Sequence, residues 1–235
     1  MSRKSLQRGF TLIELMAVIM IIAVIASFTL PTVFSSRASA NEKSVIATMR
    51  TLVTGQSALR SSAKIDTNSN GVGEYGYLAE LSGGMTLRGG FPPLDPPLLS
   101  AAFRNVTDGT VIRSGYVFRM FLPDADGIGL PEASDGGPQG GANDPDAAMS
   151  ETFWACYAWP VTFGVSGRVA LFANQQGEIL KTTNETQQYG NLVSSGGNVP
   201  APEAAFLSAG TAGAITGPTA VGTVGVDGQR WLIVN

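Results

Sequence analysis

The stretch RGFTLIELMAVIMIIAVIASFTLP, residues 8–31, decides the architecture of this chain. A single carboxylate, Glu14, stands near the start of an otherwise apolar run, and Leu15 to Phe34 then supply 20 consecutive residues without a charge. A helix of about 20 apolar residues is long enough to cross a bilayer. Because a carboxylate at the edge of such a segment is costly to bury, its presence there needs a functional reason.

The apolar pattern does not stop at the end of this segment. Between residues 38 and 62 the apolar residues recur at helical spacing and form one stripe, while Pro31 is the only proline before Pro92. A proline bends a helix but is tolerated in membrane helices. We therefore predict one helix over residues 10–62, kinked near Pro31, with an amphipathic second half. Its predicted buried stripe is Val45, Ile46, Met49, Leu52, Val53 and Leu59.

The remainder of the chain predicts a small antiparallel sheet with long loops. Runs rich in aromatic and β-branched residues indicate strands near 115–123, 152–164 and 167–183, the last a hairpin that turns at residues 174–177. The final residues favour another strand, and 77–84 a short helix. Residues 124–151 contain seven acidic and no basic residues, which predicts a surface loop without core residues. The fold class expected is α+β.

Composition narrows the function. The chain has 15 basic and 18 acidic residues, and without the three basic residues that precede Gly9 the balance is 12 against 18, or −6, so nucleic acid is an improbable partner. Histidine is absent, and the only cysteine is Cys156, which we expect to be buried and inert. No catalytic residue set is evident, so we expect no enzyme. Trp154, Tyr157 and Trp159 are expected to be core or sheet-face residues and not a ligand platform, because aromatics at period-two spacing pack well against a helix.

The N-terminal residues resemble those of type IV prepilins and of the pseudopilins of type II secretion systems. A basic leader ends at Arg8-Gly9, and Phe10-Thr11-Leu12-Ile13-Glu14 opens the apolar run. The resemblance implies cleavage by a prepilin peptidase after Gly9 and methylation of the new amine at Phe10. It also implies that Glu14 pairs with the Phe10 amine of a neighbouring subunit, and that Pro31 is the position of a helix kink.

The resemblance implies three parts and a location. Residues 1–9 are the leader, 10–35 the transmembrane half of the helix that becomes the filament core, and 36–235 an extracytoplasmic head. Because basic residues precede the helix, we expect the N-terminus on the cytoplasmic side of a bacterial inner membrane. The expected partners are copies of this chain and other pilin-like subunits, the peptidase and an inner-membrane assembly platform. The product is a periplasmic or cell-surface filament, either a pilus or a secretion pseudopilus.

Two other interpretations of the N-terminus remain open in the sequence. In the first, Glu14 is a carboxylate that reaches the membrane interface and has no function in assembly. The small residues Ala38 and Ala40 provide a pattern that a signal peptidase can cut, which would release a secreted binding domain. The apolar run is, however, longer than the apolar core of a signal peptide. The same binding domain could also stay anchored in the membrane as a monomer.

Two loops contain oxygen-bearing side chains at the spacing of calcium sites. Asp66, Asn68, Asn70 and Glu74 echo a calcium loop, but Tyr77 stands where an EF-hand has its glutamate, so an EF-hand is excluded. The favoured interpretation is a turn in which these side chains bond the backbone. The acidic loop with Asp124 and Asp126 is the second candidate, and a solvated loop is again favoured. We therefore expect no cofactor, with calcium as the alternative.

Overall fold

The structure is a computed structural model that describes residues 9–208 and 210–234. Its dominant element is α1 (Leu12–Ser62), a single helix of 51 residues. A helix of this length is roughly 75 Å long at 1.5 Å per residue, far more than a head of this size can cover. The predicted long helix is confirmed, and it begins two residues later than expected.

An antiparallel sheet and two short helices form the head together with the second half of α1. The sheet order is β1-β2-β4-β5-β6-β7, with β3 paired to the second half of β2, seven strands in the described part of the chain. The bounds are α2 (Leu78–Leu81), β1 (Val111–Arg113), β2 (Tyr116–Pro123), β3 (Gly129–Pro131), α3 (Ala147–Ser150), β4 (Ala155–Pro160), β5 (Ala170–Asn174), β6 (Ile179–Thr182) and β7 (Leu232–Ile233).

The predicted strands are confirmed with shorter bounds. The hairpin turns where expected, because the Gly177 N–H donates to the Asn174 carbonyl between β5 and β6. The C-terminal residues add β7 to the edge of the sheet. The α+β class, with one helix packed on an antiparallel sheet, is therefore confirmed.

The stripe of α1 packs on one face of the sheet. Val45, Met49, Leu52 and Leu59 are fully buried, and Ile46 and Val53 are partly buried against the same core. Sheet residues on this face alternate with those on the other, as a pleated strand requires, so Phe118 and Met120 of β2 face the helix. The predicted buried stripe is confirmed.

Hydrogen bonds fix the position of α1 at both ends of the head. Near its entry, the Asn41 side chain donates to the Ser166 carbonyl at 2.8 Å, and Glu42 accepts the Arg168 N–H at 2.8 Å. Further along, buried Gln56 binds both the N–H and the carbonyl of Gly76, at 3.0 and 2.7 Å. Since a buried amide must be satisfied, Gln56 holds the segment after α1 in one register.

The other face of the sheet corrects one expectation, that all three aromatic residues near β4 pack against the helix. Tyr157 and Trp159 lie on the face away from α1, where they pack against the segment from Tyr189 to Trp231, while Cys156 and Trp154 face the helix side. The glycine-, alanine- and serine-rich residues 190–222 are therefore a cover for this second core. Period-two spacing placed these aromatics on a strand, but it could not tell which face of the strand meets the helix.

The acidic region 124–151 is also more structured than expected. It contains β3 and α3, and within it Glu132 and Ser150 are buried. The expectation of a loop without core residues is wrong, because β3 pairs with β2 and thereby brings Glu132 into the interior.

The packing of α1 generates a stability prediction. Leu52→Ala removes a fully buried side chain, so we expect it to lower the free energy of unfolding by ~2–5 kcal/mol. Thr51→Ala, at the exposed neighbouring position, should change it by less than about 0.5 kcal/mol. Denaturant unfolding of the full chain in detergent micelles, followed by tryptophan fluorescence, measures both. Equal stabilities of the two variants would contradict this packing.

Candidate functional site

The first half of α1 has no cover within the described chain. Its large apolar side chains are exposed on all sides, from Leu12 (76 % exposed) through Ile22 (58 %) to Phe34 (50 %). By length and composition α1 is able to cross a membrane, and none of its most apolar stretch of 18 residues is buried in the structure. A helix that is apolar all round requires burial in lipid or against other helices.

Glu14 is engaged at the beginning of this helix. Thr11 is the N-cap: its Oγ1 accepts the Glu14 N–H at 3.3 Å, and Glu14 Oε2 accepts the Thr11 N–H at 2.9 Å and its hydroxyl at 2.8 Å. This reciprocal arrangement is a capping box, which satisfies N–H groups that the helix leaves free. Among the described residues Glu14 Oε1 has no hydrogen-bond partner, so one oxygen of the carboxylate caps while the other is free.

The predicted cleavage point lies just outside the helix. Phe10 is 89 % exposed, and a Cβ placed on Gly9 would have no atom of the described residues within 4 Å. The fold of the chain therefore does not require glycine at position 9. Leader residues 1–8 lie outside the described residues.

The helix passes through Pro31 without ending. Hydroxyl groups on either side bond carbonyls of the preceding turn, with Ser27 donating to Val24 at 2.7 Å and Thr32 to Phe28 at 3.2 Å. These bonds satisfy polar groups within the helix itself, as an apolar environment requires. The kink at Pro31 stays a prediction.

The first calcium-like loop is a turn stabilised by its own side chains. Asp66 accepts the N–H groups of Asn70 and Gly71 at 3.0 and 2.9 Å, and Asn70 accepts that of Val72 at 2.7 Å. Glu151, which sequence reasoning missed, accepts the side-chain amides of Asn68 and Asn70, both at 2.8 Å. The Asp66 and Asn70 oxygens thus accept backbone N–H groups, the arrangement that the sequence analysis set beside a calcium site.

Two of the remaining candidate ligands, Glu74 and Asp124, are likewise engaged. Glu74 is buried; one of its oxygens accepts the N–H of Thr67, and the other lies 3.3 Å from Arg88. Asp124 accepts the N–H groups of Asp126 and Ile128 at 2.9 and 2.8 Å. In the described part of the chain, no group of three acidic or cysteine side chains is arranged to hold a metal ion.

The structure also assembles a buried charged cluster that the sequence did not reveal. Arg88 lies 3.3 Å from both Glu74 and Glu80, and it donates to the Tyr75 carbonyl. Glu132 accepts the N–H groups of Ala79 and Gly137 through Oε1, at 2.8 and 3.1 Å, and that of Leu78 through Oε2. These bonds join the acidic region to α2. Because Glu132 lies far along the chain from Glu80, spacing gave no signal for the cluster.

The buried cluster satisfies groups inside the head. Its carboxylates bond backbone N–H groups and a guanidinium, as buried charges must. These contacts indicate that the cluster holds parts of the head together and is not a binding site.

One comparison with known proteins matches. Residues 4–30 match the family described as the prokaryotic N-terminal methylation motif. Comparison with curated proteins gives no significant match, and neither does comparison with solved structures. The matched residues include the leader end, Phe10, Glu14 and most of the apolar run. The N-terminus is therefore a prepilin-type cleavage and methylation segment, which confirms the resemblance seen in the sequence.

Burial of Glu132 generates a pH prediction. Desolvation raises the pKa of Glu132 from 4.5 to about 7, against the backbone N–H groups that lower it. Folding then favours the protonated form, so this group stabilises the head most below about pH 4.5, and the contribution is lost as the pH rises through about 7. We expect Glu132→Gln, whose amide oxygen can still accept from Ala79 and Gly137, to remove this loss.

The measurement is the free energy of unfolding between pH 4.5 and 7.5 for the full chain. The wild-type value should fall relative to Glu132→Gln by on the order of 2–3 kcal/mol across this range. Asp135→Asn, an exposed acid of the same region, is the control and should retain the wild-type slope. Parallel curves for wild type and Glu132→Gln would show that folding does not raise the pKa of Glu132.

Proposed function

We propose that this chain, whose N-terminus is a prepilin-type methylation segment, is a structural subunit of a type IV pilus-like or type II secretion pseudopilus filament. The observation that carries the proposal is the combination of a matched methylation motif with a helix whose first half is uncovered by its own head. The subunit would wait in the bacterial inner membrane with its N-terminus cytoplasmic and its head extracytoplasmic. It would then be transferred into a filament whose core is a bundle of these helices.

The proposed maturation step is cleavage between Gly9 and Phe10. The prepilin peptidase would break that peptide bond and leave a free amine on Phe10, one residue before the N-cap Thr11. Methylation of the amine preserves its positive charge at neutral pH. The mature chain would therefore begin with a cation placed next to the capping box.

The proposed assembly step uses the free oxygen of Glu14. In a helix bundle the Phe10 amine and the Glu14 carboxylate would both lie in a medium of low dielectric constant, where each is costly alone and a pair offsets much of that cost. Since Thr11 occupies only Oε2, Oε1 is available to a neighbour's amine without loss of the cap. Pairing of this kind sets the axial position of the incoming subunit.

We further propose that this role involves no catalysis and no cofactor. The partners are other copies of the chain, related pilin-like subunits, the peptidase and the assembly platform in the inner membrane. Residues 66–74 support the proposal, since their oxygens already serve as backbone acceptors at the end of α1.

Processing is tested at Gly9. Because the fold leaves room for a side chain there, Gly9→Leu should fold and insert normally but remain uncleaved, at least about tenfold below wild type in mature product. Intact-mass spectrometry of the membrane fraction measures the uncut and methyl-Phe10 forms. Normal mature protein from Gly9→Leu would refute the prepilin assignment, and a cut after Ala40 would support a secreted domain.

Assembly is tested at Glu14. Glu14→Leu leaves the neighbour's cation buried and unpaired, which costs ~3–5 kcal/mol per contact, so filament yield should fall at least about a hundredfold while cleavage and insertion persist. Glu14→Gln is the matched variant: its amide oxygen can still complete the capping box but has no charge. Pairing predicts that both variants fail to assemble.

The readout is the sheared-filament fraction, with a membrane-fraction blot for the subunit. A functional Glu14→Gln beside a defective Glu14→Leu would assign the capping box, and not the charge, to assembly. Equal filament yields from Glu14→Leu and wild type would leave Glu14 as an interfacial carboxylate.

A further inference from the structure

The face of α1 that points away from the sheet is basic along the head. Lys43 and Arg50 lie on it seven residues apart, two helical turns or about 10 Å, and both are exposed. Within the described residues the side chain of neither makes a salt bridge or a hydrogen bond. The positions between them on this face are small, among them Ala47, and Glu42 is turned to the Arg168 N–H. This helix face is therefore unpartnered and positively charged.

The opposite charge is concentrated in the acidic region 124–151. Asp126 and Asp135 are exposed there, and their carboxylates accept no hydrogen bond from the described residues. The region contains no basic residue that could neutralise them. Asp144 is also exposed and accepts the Gly140 N–H at 2.8 Å.

The two charged surfaces lie at different heights along the axis of α1. The Ser44 and Ser114 hydroxyls are 3.0 Å apart just before β2 begins, so β2 starts near the point where α1 enters the head. The acidic region follows the far end of β2, and its Glu151 bonds Asn68 and Asn70, which come after the C-terminus of α1. Because α1 ends at Ser62, the end of this region that follows β2, with Asp126, lies roughly 20–30 Å beyond Lys43 and Arg50 along the helix. Asp135 follows β3, which runs back beside β2, and therefore lies nearer to the two cations.

We propose that the basic face of α1, Lys43 and Arg50, binds the acidic region of a second copy of this chain, through Asp126 and Asp135, in the filament. Two copies that point the same way and are shifted along the axis by this distance bring unlike charges to the same height. The contact joins different surfaces of the two copies, so it repeats without closing, as a helical filament requires. This inference rests on the proposed function and adds the surface that orients neighbouring heads.

Charge reversal tests the contact. Lys43→Glu with Arg50→Glu places acidic side chains opposite acidic ones, so filament yield should fall at least about tenfold, and the wild-type yield should decrease as salt rises. Adding Asp126→Lys and Asp135→Lys to the same chain should restore assembly. Arg230→Glu is the control, an exposed cation beside Trp231 on the other side of the sheet whose side chain donates, among the described residues, only to the Gly222 carbonyl, and it should assemble normally.

Cysteine cross-linking locates the contact directly. Native Cys156 is fully buried, so Lys43→Cys with Asp126→Cys supplies the reactive thiols. Mild oxidation of sheared filaments should give a ladder of covalent oligomers, and either single variant should give none. Protease resistance of each variant checks that the head is folded.

The outcomes separate this inference from the proposed function. Wild-type yields from the Lys43→Glu, Arg50→Glu chain, or filaments of the cysteine pair without a ladder, overturn the contact and leave the filament proposal standing. Failure of the four-substitution chain to recover while Arg230→Glu assembles also overturns it. A wild-type chain that is cleaved but forms no filament refutes the proposed function, and this contact with it.

Discussion

The structure depends on one helix, α1, of which the described part of the chain covers only the second half. The second half of α1 buries Val45, Met49, Leu52 and Leu59 against the sheet, while the first half exposes apolar side chains in every direction. Exposed apolar area on this scale must be covered by lipid or by other helices. The head therefore stabilises the fold, and the uncovered half of α1 requires a membrane or other helices to bury its apolar side chains.

Under the proposed function, the charge of Glu14 decides how the uncovered half of α1 pairs with other subunits. A lone carboxylate on an apolar helix would only oppose burial, yet Thr11 holds Glu14 at the helix start, and one Glu14 oxygen has no partner among the described residues. The capping box gives the carboxylate a fixed direction before any partner arrives. A fixed charge in a medium of low dielectric constant discriminates strongly between a paired and an unpaired neighbour, which is the property that ordered assembly needs.

The head is built as a sheet with two covers. α1 covers one face, and the segment from Tyr189 to Trp231, much of it glycine, alanine and serine, covers the other around Tyr157 and Trp159. Small side chains allow this irregular segment to lie close to a layer of large aromatic rings. The acidic region 124–151 is held to the head by β3, which pairs with β2, and by Glu132, which bonds the Ala79 N–H. Its exposed residues Asp126 and Asp135 remain at the surface.

The sequence by itself determined the long helix, its buried stripe, the hairpin between β5 and β6, and the methylation segment with Gly9, Phe10 and Glu14. These follow from local periodicity or from a contiguous motif, so each can be recognised from residues that are close together in the sequence. Only the tertiary structure decided that Tyr157 and Trp159 face away from α1, and that Glu74, Glu80, Glu132 and Arg88 meet in the interior. The choice of sheet face and the approach of residues distant in sequence depend on which elements pack together, and no local pattern records that.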